Sequence, residues 1–471
     1  MIGTSKSSQR HGGRGSYNLT EGNVRRQILQ LTGYMVVGVV ASMTFNLVDT
    51  FFVAQLGTEE LAAMSFTFPV VMILHAIVVG IGTGVTAVIS RIIGGGDRSK
   101  VRQLATDSIL LAIFLALVLT IVGLATLDTV FIALGAAPDV LPLIHDYMVI
   151  WYLSTAVLVV PMIGNAVMRA HGDTRFPALI MSIGSVINII LDPILIFGLL
   201  GAPRLELQGA AVATLIARLV TLVAALWVLN HRMACLDYSF PALVRLLESF
   251  RRLLHIGLPA TGTQMITPVS IAIITAMIAS YGSEAVAAYG AGARIEIFSL
   301  MFVMALNIAI MPFIGQNAGA GRFDRVREAL RFGFEICMFG GLVVAILLAV
   351  FAPWIATKFS DDPTVIDLTT LYLWVVPVSF GAYGIIGVTS STFNSLALPL
   401  KAMILGISKS LLFTVPLAYL FSLFFGVVGI FAGFSLSSVL IGLWAYLWVS
   451  KVVKDKERIA GDSTLQESER Q

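Results

Sequence analysis

Long apolar stretches, each of about 20 residues or more, recur along almost the whole chain and are separated by short polar connections. A stretch of this length can cross the hydrocarbon core of a bilayer as an α-helix. The pattern therefore predicts an all-α membrane protein with twelve transmembrane helices. The predicted spans start near Ile28, Leu61, Leu104, Leu141, Ala178, Gly209, Ile256, Val286, Phe332, Ile366, Leu400 and Val427.

Two of these stretches contain a single charged residue near their middle. Asp49 is the only charge in a run from about Ile28 to Ala54, and Asp192 is the only charge between about 178 and 200. A carboxylate at the centre of a membrane helix costs about 2.5–3.5 kcal/mol on insertion scales, so such residues are rare and usually line an ion or substrate path. The two acids favour a cation-coupled machine over an inert membrane anchor.

The two halves of the chain resemble each other at an offset of about 225 residues. Gly57–Ala63 aligns with Gly282–Ala288, and at the same offset Gly94 falls on Gly319. Each half holds six predicted spans, which predicts two six-helix lobes around a central cavity, the place where repeated transporters bind substrate. The predicted domains are a cytoplasmic N-terminal segment 1–27, an N-lobe 28–230, a cytoplasmic linker 231–255, a C-lobe 256–450 and a cytoplasmic tail 451–471.

The linker has leucines at helical spacing with basic residues between them, which predicts an amphipathic helix lying in the cytoplasmic interface. All but about five of the 30 Lys and Arg residues fall in the N-terminal segment, the tail and every second connection. The positive-inside rule places these parts, including both termini, in the cytoplasm. The basic runs are interpreted as topology determinants, and no nucleic-acid partner is expected.

Composition changes this picture little. The chain is 57% hydrophobic and 12% charged with a mean hydropathy of +0.91, which excludes a soluble domain of 471 residues. We find no cleavable signal before the first span and expect an integral protein of the cell (inner) membrane. Cys235 and Cys337 are too few for a disulfide framework or a metal site.

Polar side chains at similar depth accompany the two acids. Asn188 and Asp192 are four residues apart and share one helix face, and Asn46 precedes Asp49 by three. Pro193 frees the backbone carbonyl of the residue four positions earlier, which adds a polar ligand. The remaining candidates are Asn165 in the fourth span and Thr214 in the sixth. Such oxygens around two carboxylates can hold a proton or a small hard cation, with sodium ligands at Asp49, Asn188, Asp192 and Thr214.

Other interpretations of these residues stay open. Asn and Thr on membrane helices often only hydrogen-bond to neighbouring helices, and Arg218 can form a static ion pair with either acid. Three basic residues inside spans, together with Asn46, are candidates for the substrate pathway: Arg218, Arg294 and Lys409. The second lobe is expected to have no carboxylate at mid-membrane depth, so the acid chemistry is predicted in the first lobe alone. Its nearest acids fall near span ends or on undetermined faces: Glu296, Glu335 and Asp367.

Several motifs together resemble the multidrug and toxic compound extrusion (MATE) family over about residues 25–450. They are Asn46-Leu-Val-Asp49-Thr50, Gly57–Ala63, Arg169-Ala-His-Gly-Asp173-Thr174, Asn188-Ile-Ile-Leu-Asp192-Pro193 and Gly209-Ala-Ala-Val-Ala-Thr214. The pattern is similar to the DinF-like branch of that family, which implies an antiporter that exports amphipathic, often cationic, organic compounds in exchange for protons or sodium ions. The resemblance implies the coupling set Asp49, Asn165, Asn188, Asp192 and Thr214.

Two departures from the family pattern limit the resemblance. The sister NorM-like branch has a Glu in the seventh helix, and residues 257–267 contain none. Family members often have a proline in the first helix, where this chain has Tyr34 at the position that the repeat pairs with Pro259. Bending of the first helix on protonation therefore lacks its usual residue here.

Alternative functions are a lipid-linked saccharide flippase of the same superfamily and a facilitator-superfamily carrier, whose loop signature Gly94-Gly-Gly-Asp97-Arg98 partly matches. A membrane enzyme is disfavoured, because His75, His145 and His171 have no ligand spacing and no nucleophile motif is present. We expect no enzyme activity, no cofactor and a monomer. The two acids lie in a medium of low dielectric, which favours retention of one proton, so protons are the expected coupling ion.

Overall fold

The computed structural model describes residues 18–136, 139–237 and 242–468, and all regular structure in these ranges is helical. In chain order the α-helices are α1 Val24–Ala54, α2 Thr58–Gly94, α3 Arg98–Ala133, α4 Leu141–Leu153, α5 Thr155–Ala170, α6 Arg175–Phe197, α7 Glu206–Trp227, α8 Leu243–Ala279, α9 Ser283–Ser299, α10 Met301–Gly319, α11 Phe323–Ala356, α12 Pro363–Val375, α13 Phe380–Ser395, α14 Pro399–Ile407 and α15 Val415–Ser468. Two π-helical segments, Val228–Arg232 and Ser408–Thr414, extend α7 and join α14 to α15.

These helices form twelve spans, as the apolar pattern predicts. Ten helical segments in the described residues are long and apolar enough to cross a membrane, and α4 with α5 makes an eleventh that bends by 46°. The segment Pro399–Ala460 is counted there as one, but Gly426 breaks it with φ 58° and ψ −137°. A Cβ on Gly433 would lie 2.6 Å from the backbone nitrogen of Ala418, so the chain turns back on itself at Gly426 and crosses twice.

The internal repeat appears in the helix boundaries. Thr58–Gly94 is one helix, and Ser283–Gly319 covers the same length in two helices that meet at Leu300. Gly96 and Gly321 follow them with φ of +81° and +70°, a backbone conformation that favours glycine. The prediction of two six-helix lobes is confirmed. We call α1–α7 the N-lobe and α8–α15 the C-lobe.

A mid-span break also repeats at the offset of 225. Ser154 separates α4 from α5, and Ser379 ends the short 3₁₀ segment between α12 and α13. Both serines are buried, and each donates its hydroxyl to the carbonyl three residues earlier, at 2.7 Å to Trp151 and 2.9 Å to Val376. These hydroxyls satisfy carbonyls that the broken helices leave free, which makes the breaks stable in an apolar medium.

The lobes pack together at one end and separate at the other. We call the first the basic end, because Arg91, Arg98 and Arg169 lie there. One hydrophobic cluster at this end joins Leu19 and the first half of α1 to the C-lobe, and another joins the N-lobe to Leu253 of α8. At the far end, one cluster contains only C-lobe residues and another only N-lobe residues. A cleft between the lobes at the far end follows from this division.

Glycines permit the close approach of the lobes at the basic end. A Cβ on Gly84 of α2 would lie 2.5 Å from the carbonyl oxygen of Leu253 and 2.8 Å from the nitrogen of Gly257. A Cβ on Gly94 would overlap the carbonyl oxygen of Gln316, and one on Gly319 would overlap that of Arg91. Backbone therefore packs directly on backbone across the interface.

The N-terminal segment Asn18–Asn23 closes over this interface. Leu19 is buried and its amide donates to the Gln316 side chain at 3.2 Å, while that side chain donates to the Ala170 carbonyl of the N-lobe at 2.9 Å. Arg325 donates to the carbonyls of Leu19 at 3.1 Å and Gly22 at 2.7 Å. Gln316 and Arg325 thus tie the segment to both lobes.

The structure differs from the expected linker and tail. The amphipathic stretch is not a separate helix, because α8 runs without interruption from Leu243 to Ala279; Pro259 and Pro268 lie inside it without ending it. Likewise α15 continues to Ser468, beyond the expected start of the tail at residue 451. The expectations for residues 1–17, 238–241 and 469–471 lie outside the described residues.

Candidate functional site

The two lone acids come from adjacent helices of the N-lobe. Asp49 lies on α1 and Asp192 on α6, and these helices pack against each other. Asp192 is fully buried and Asp49 is 8% exposed. The charges of the two carboxylates act on each other. The structure therefore brings together the pair that the apolar pattern singled out, in the half of the N-lobe towards the far end.

Most oxygens of this group have no hydrogen-bond donor. Among the described residues, buried oxygens without a partner include Asp49 Oδ1, both carboxylate oxygens of Asp192, Asn188 Oδ1 and Asn165 Oδ1. Buried polar atoms are nearly always hydrogen-bonded, and leaving one unpaired costs about 1–3 kcal/mol. Acceptors that lack donors can be satisfied by a proton on a carboxyl group or by a cation.

The other predicted members take different positions. Asn188 lies one turn before Asp192. Its side-chain N–H donates to the Thr214 hydroxyl of α7 at 3.2 Å, and its side-chain oxygen is left without a partner in the described residues. Asn165 is buried on α5, and no hydrogen bond in the described residues joins it to the other four. Asn46 is exposed and donates to the Ser42 carbonyl of its own helix at 2.8 Å, so it is not bound to Asp49.

Arg218 stands beside the acids without forming the static ion pair that we considered. Its guanidinium donates to the Ser154 hydroxyl at 3.0 Å and lies 5.0 Å from the centre of the Trp151 ring. The charges of Arg218 and Asp49 act on each other, yet no carboxylate of the described residues lies within 4.0 Å of Arg218. The Arg218 guanidinium is thus close enough to respond to the charge of the Asp49 carboxyl group without being bound to it.

Sequence reasoning missed the aromatic surroundings of this group. Tyr147 on α4 lies within electrostatic range of both acids and of Arg218, and His75 on α2 lies within range of Arg218. Neither Tyr147 nor His75 has another candidate site residue one helical turn away in the sequence that would have identified it. The break at Ser154, which is also the break that repeats in the C-lobe, places the Trp151 ring against the guanidinium.

The prediction that only the first lobe has a mid-membrane acid is wrong. Glu296 lies near the middle of the span formed by α9 and α10, just before their break at Leu300. The Tyr372 hydroxyl of α12 donates to its carboxylate. Its charge and that of Lys409 act on each other. Glu335 and Asp367, in contrast, are exposed.

Of the basic residues assigned to spans, only two lie inside the lobes. Lys409 neither reaches an interface nor forms an ion pair within 4.0 Å in the described residues; its amine lies 4.7 Å from the centre of the Phe434 ring and 5.1 Å from that of Tyr383. Arg294 is exposed on α9. Each lobe thus holds a basic group against aromatic rings, Arg218 with two buried acids in the N-lobe and Lys409 with Glu296 in the C-lobe.

Comparison with known proteins places this geometry in context. The model of the MatE family matches residues 35–194 and 259–420. The chain is 38% identical over 449 residues to the FAD transporter of Shewanella oneidensis, covering 95% of this chain and 99% of that one. It is 27% identical to the probable multidrug resistance protein YoeA of Bacillus subtilis, covering 92% of each. A solved multidrug resistance MATE family transporter in an outward-facing conformation superposes with a TM-score of 0.89 at 26% identity, covering 95% of this chain and all of the other (100%).

Proposed function

The chain belongs to the MATE family of transporters, and from that premise we propose that it is a secondary active antiporter that exports amphipathic organic compounds. The proposed driving ions are protons, or sodium ions in their place, which move inwards through the N-lobe. In this proposal the basic end faces the cytoplasm of the cell, both termini lie there, and the monomer in the inner membrane is the working unit. The far end opens outwards.

The single observation that carries the proposal is the group of unpaired oxygens around Asp49 and Asp192. A structural pair of acids would be saturated by donors, as buried charges usually are. Here neither carboxylate oxygen of Asp192 has a hydrogen-bond partner in the described residues, and Asp192 lies one turn before Ile196 of the far-end cluster that contains N-lobe residues alone. A cation that enters from the far end can be taken up at these oxygens without crossing the closed basic end.

Protons fit this group better than sodium ions. Removal from water favours the neutral form of a carboxyl group, and a second acid nearby favours it further. Sodium needs both acids ionised and five or six oxygen ligands, and Arg218 next to Asp49 opposes a second positive charge. One elementary charge that moves down 100 mV releases about 2.3 kcal/mol, which supports a useful gradient of cargo.

The alternating exchange then follows from competition for the N-lobe. When both acids are without a cation, they and Arg218 together have a net negative charge, which attracts the cationic part of a cargo into the cleft. When a proton binds, one negative charge disappears, the net charge of the two acids and Arg218 falls to zero, and the attraction for a cationic cargo is lost. The state of the acids therefore changes the affinity of the cleft for charged cargo, which is the condition for coupling two sites.

The relatives suggest two kinds of cargo. A relative named as a multidrug resistance protein and a relative named as an FAD transporter share this fold. FAD is an amphipathic molecule with an aromatic ring system. We propose that this chain exports such molecules, with flavin nucleotides as the first cargo to test because that relative is 38% identical over nearly the full length.

Efflux from proteoliposomes tests the proposal. Vesicles that contain the full chain are loaded with FAD or with the cationic dye ethidium, and a pH gradient or a sodium gradient is imposed separately. Asp49→Asn and Asp192→Asn should insert normally and lose gradient-driven efflux. Asp146→Asn, an exposed acid held by Gln208 at 3.0 Å, serves as the matched control. Wild-type efflux by both variants would remove the coupling role, and efflux driven by sodium alone at clamped pH would replace the proton.

A further inference from the structure

The C-lobe contains a charged group surrounded by aromatic rings that the coupling scheme does not use. It is built from five elements, and its members are Glu296 on α9, Tyr372 on α12, Tyr383 on α13, Lys409 in the π-helical segment and Phe434 on α15. We call it the Lys409 site. It belongs to the half of the C-lobe towards the far end, because Tyr372 lies in the cluster that contains C-lobe residues alone.

The backbone around Lys409 is shaped and held by side chains. Residues Ser408–Thr414 form a π-helical turn, a rare conformation that occurs often at functional sites. The Thr414 hydroxyl donates to the Lys409 carbonyl at 2.7 Å and shares a 2.8 Å hydrogen bond with Ser437. Ser270 of α8 donates to the Ser410 carbonyl at 3.1 Å. Hydroxyls of two other elements therefore fix the widened turn that positions the lysine.

The amine of Lys409 has hydrogen-bond donors that its neighbours do not use. An ammonium group carries three N–H donors, and the rings of Tyr383 and Phe434 stabilise its charge without accepting all of them. Glu296 accepts a hydrogen bond from Tyr372 instead of contacting the amine, and no carboxylate of the described residues lies within 4.0 Å of Lys409. An oxyanion that reached the site would find an unsatisfied cation in an apolar frame.

The rings beside the amine define the rest of the ligand. Tyr372 packs edge-on against Tyr289 at 6.1 Å and against Phe431 at 5.0 Å between centroids, and both Tyr372 and Phe431 are buried, so these rings hold the wall of the site, while the rings of Tyr383 and Phe434 are only half-buried. Flat aromatic molecules gain from such surfaces by offset stacking. A cationic drug would gain from the rings but would meet the charge of Lys409.

From these contacts we propose that the Lys409 site binds the phosphate group of an anionic aromatic cargo, with the ring system of that cargo against Tyr383 and Phe434. The proposal rests on the exporter function proposed above and adds the cargo class and its anchor. Glu296 has the opposite role: its carboxylate weakens the hold on an anion, and Tyr372 keeps it away from the amine. A site with both charges can bind an anion and still release it.

Binding to the purified full-length protein in nanodiscs tests the site with three flavins followed by fluorescence. FAD and FMN carry phosphate, and riboflavin has the same ring system without it. Lys409→Gln should weaken FAD and FMN about 10- to 100-fold, the effect of losing a charge-assisted hydrogen bond, and leave riboflavin unchanged. Lys409→Arg should retain most of the affinity. Lys401→Gln is the matched control, since Lys401 also lies over a ring, that of Trp448 at 5.8 Å, but outside the site.

Glu296→Gln gives a change of opposite sign. Removing the competing carboxylate should tighten FMN binding several-fold, a result that misfolding cannot produce. Equal loss of FAD and riboflavin in Lys409→Gln would overturn the proposal, and so would wild-type protein that binds neither FAD nor FMN. A polyprenyl diphosphate carries phosphate without an aromatic ring. If it competes with FMN as strongly as FAD does, the aromatic part of the proposed ligand is overturned. Failure of gradient-driven efflux, with flavin binding intact, would refute the antiporter instead.

Discussion

Replacing Gly84 by Ala should open the basic end of the transporter without touching any proposed ligand. In the closed arrangement the new methyl group would lie 2.5 Å from the carbonyl oxygen of Leu253, whereas ordinary contacts of this kind begin near 3.4 Å. The helices α2 and α8 must therefore separate by about 0.9 Å. The three nearest atoms are all backbone atoms, so no side chain can turn away to relieve the overlap.

The cost falls on one conformation. Overpacking of this kind costs about 1–3 kcal/mol, and it applies only while the lobes are in contact. The gain in helix propensity from Gly to Ala, about 1 kcal/mol, is the same in both conformations and cancels. The ratio of open to closed populations at the basic end should therefore rise about 5- to 150-fold.

The alkylation rate of a cysteine at position 90 measures this ratio. Ser90 is fully buried beside Gly315 at the interface, so Ser90→Cys should react with a maleimide only when the lobes part. The background lacks Cys235 and Cys337. Gly290→Ala is the control, because a Cβ there has nothing within 4 Å. An unchanged rate in Gly84→Ala, or an equal increase in Gly290→Ala, would refute the account of the interface.

Two further predictions concern the basic end. Arg325→Lys keeps the positive charge but loses the planar guanidinium that reaches Leu19 and Gly22. Hydrogen exchange at the Leu19 amide should therefore become at least about tenfold faster. The control is Arg322→Lys, which changes an exposed arginine paired with Asp324 and should leave this exchange rate unchanged. A cysteine at the exposed Ser99 should label with an impermeant reagent only after the membrane is opened, whereas one at the exposed Ser283 should label from outside. The reverse pattern would overturn the assignment of the cytoplasmic side.

The fold was predictable because lipid imposes a simple rule on sequence. Twelve apolar stretches and the alternation of basic connections were enough for twelve helices, and the repeat at 225 residues was enough for two lobes. The isolation of Asp49 and Asp192 also identified the acidic pair, since an unpaired charge in an apolar run has few other reasons to exist. These signals are local, and each can be read from one stretch of the chain.

The parts that could not be predicted depend on distant contacts. Glu296 was set aside because the sequence did not determine which face of its helix it occupies; its partner Tyr372 lies 76 positions away. Lys409 was identified only as a candidate for the substrate pathway, and its packing on two rings depends on residues of other helices. The linker was expected to lie apart from the next span, but no residue between Leu243 and Ile256 ends a helix.

The N-terminal segment has a consequence for the order of assembly in the cell. Leu19 leaves the ribosome early, but its partners Gln316 and Arg325 are synthesised 297 and 306 residues later. At a synthesis rate of about 5–20 residues per second, the segment waits on the order of 15–60 s before these partners exist. These contacts can form only when α10 and the start of α11 lie against the N-lobe, so the segment is fixed long after it is made. Its burial thus reports that the two lobes have closed on each other at the basic end.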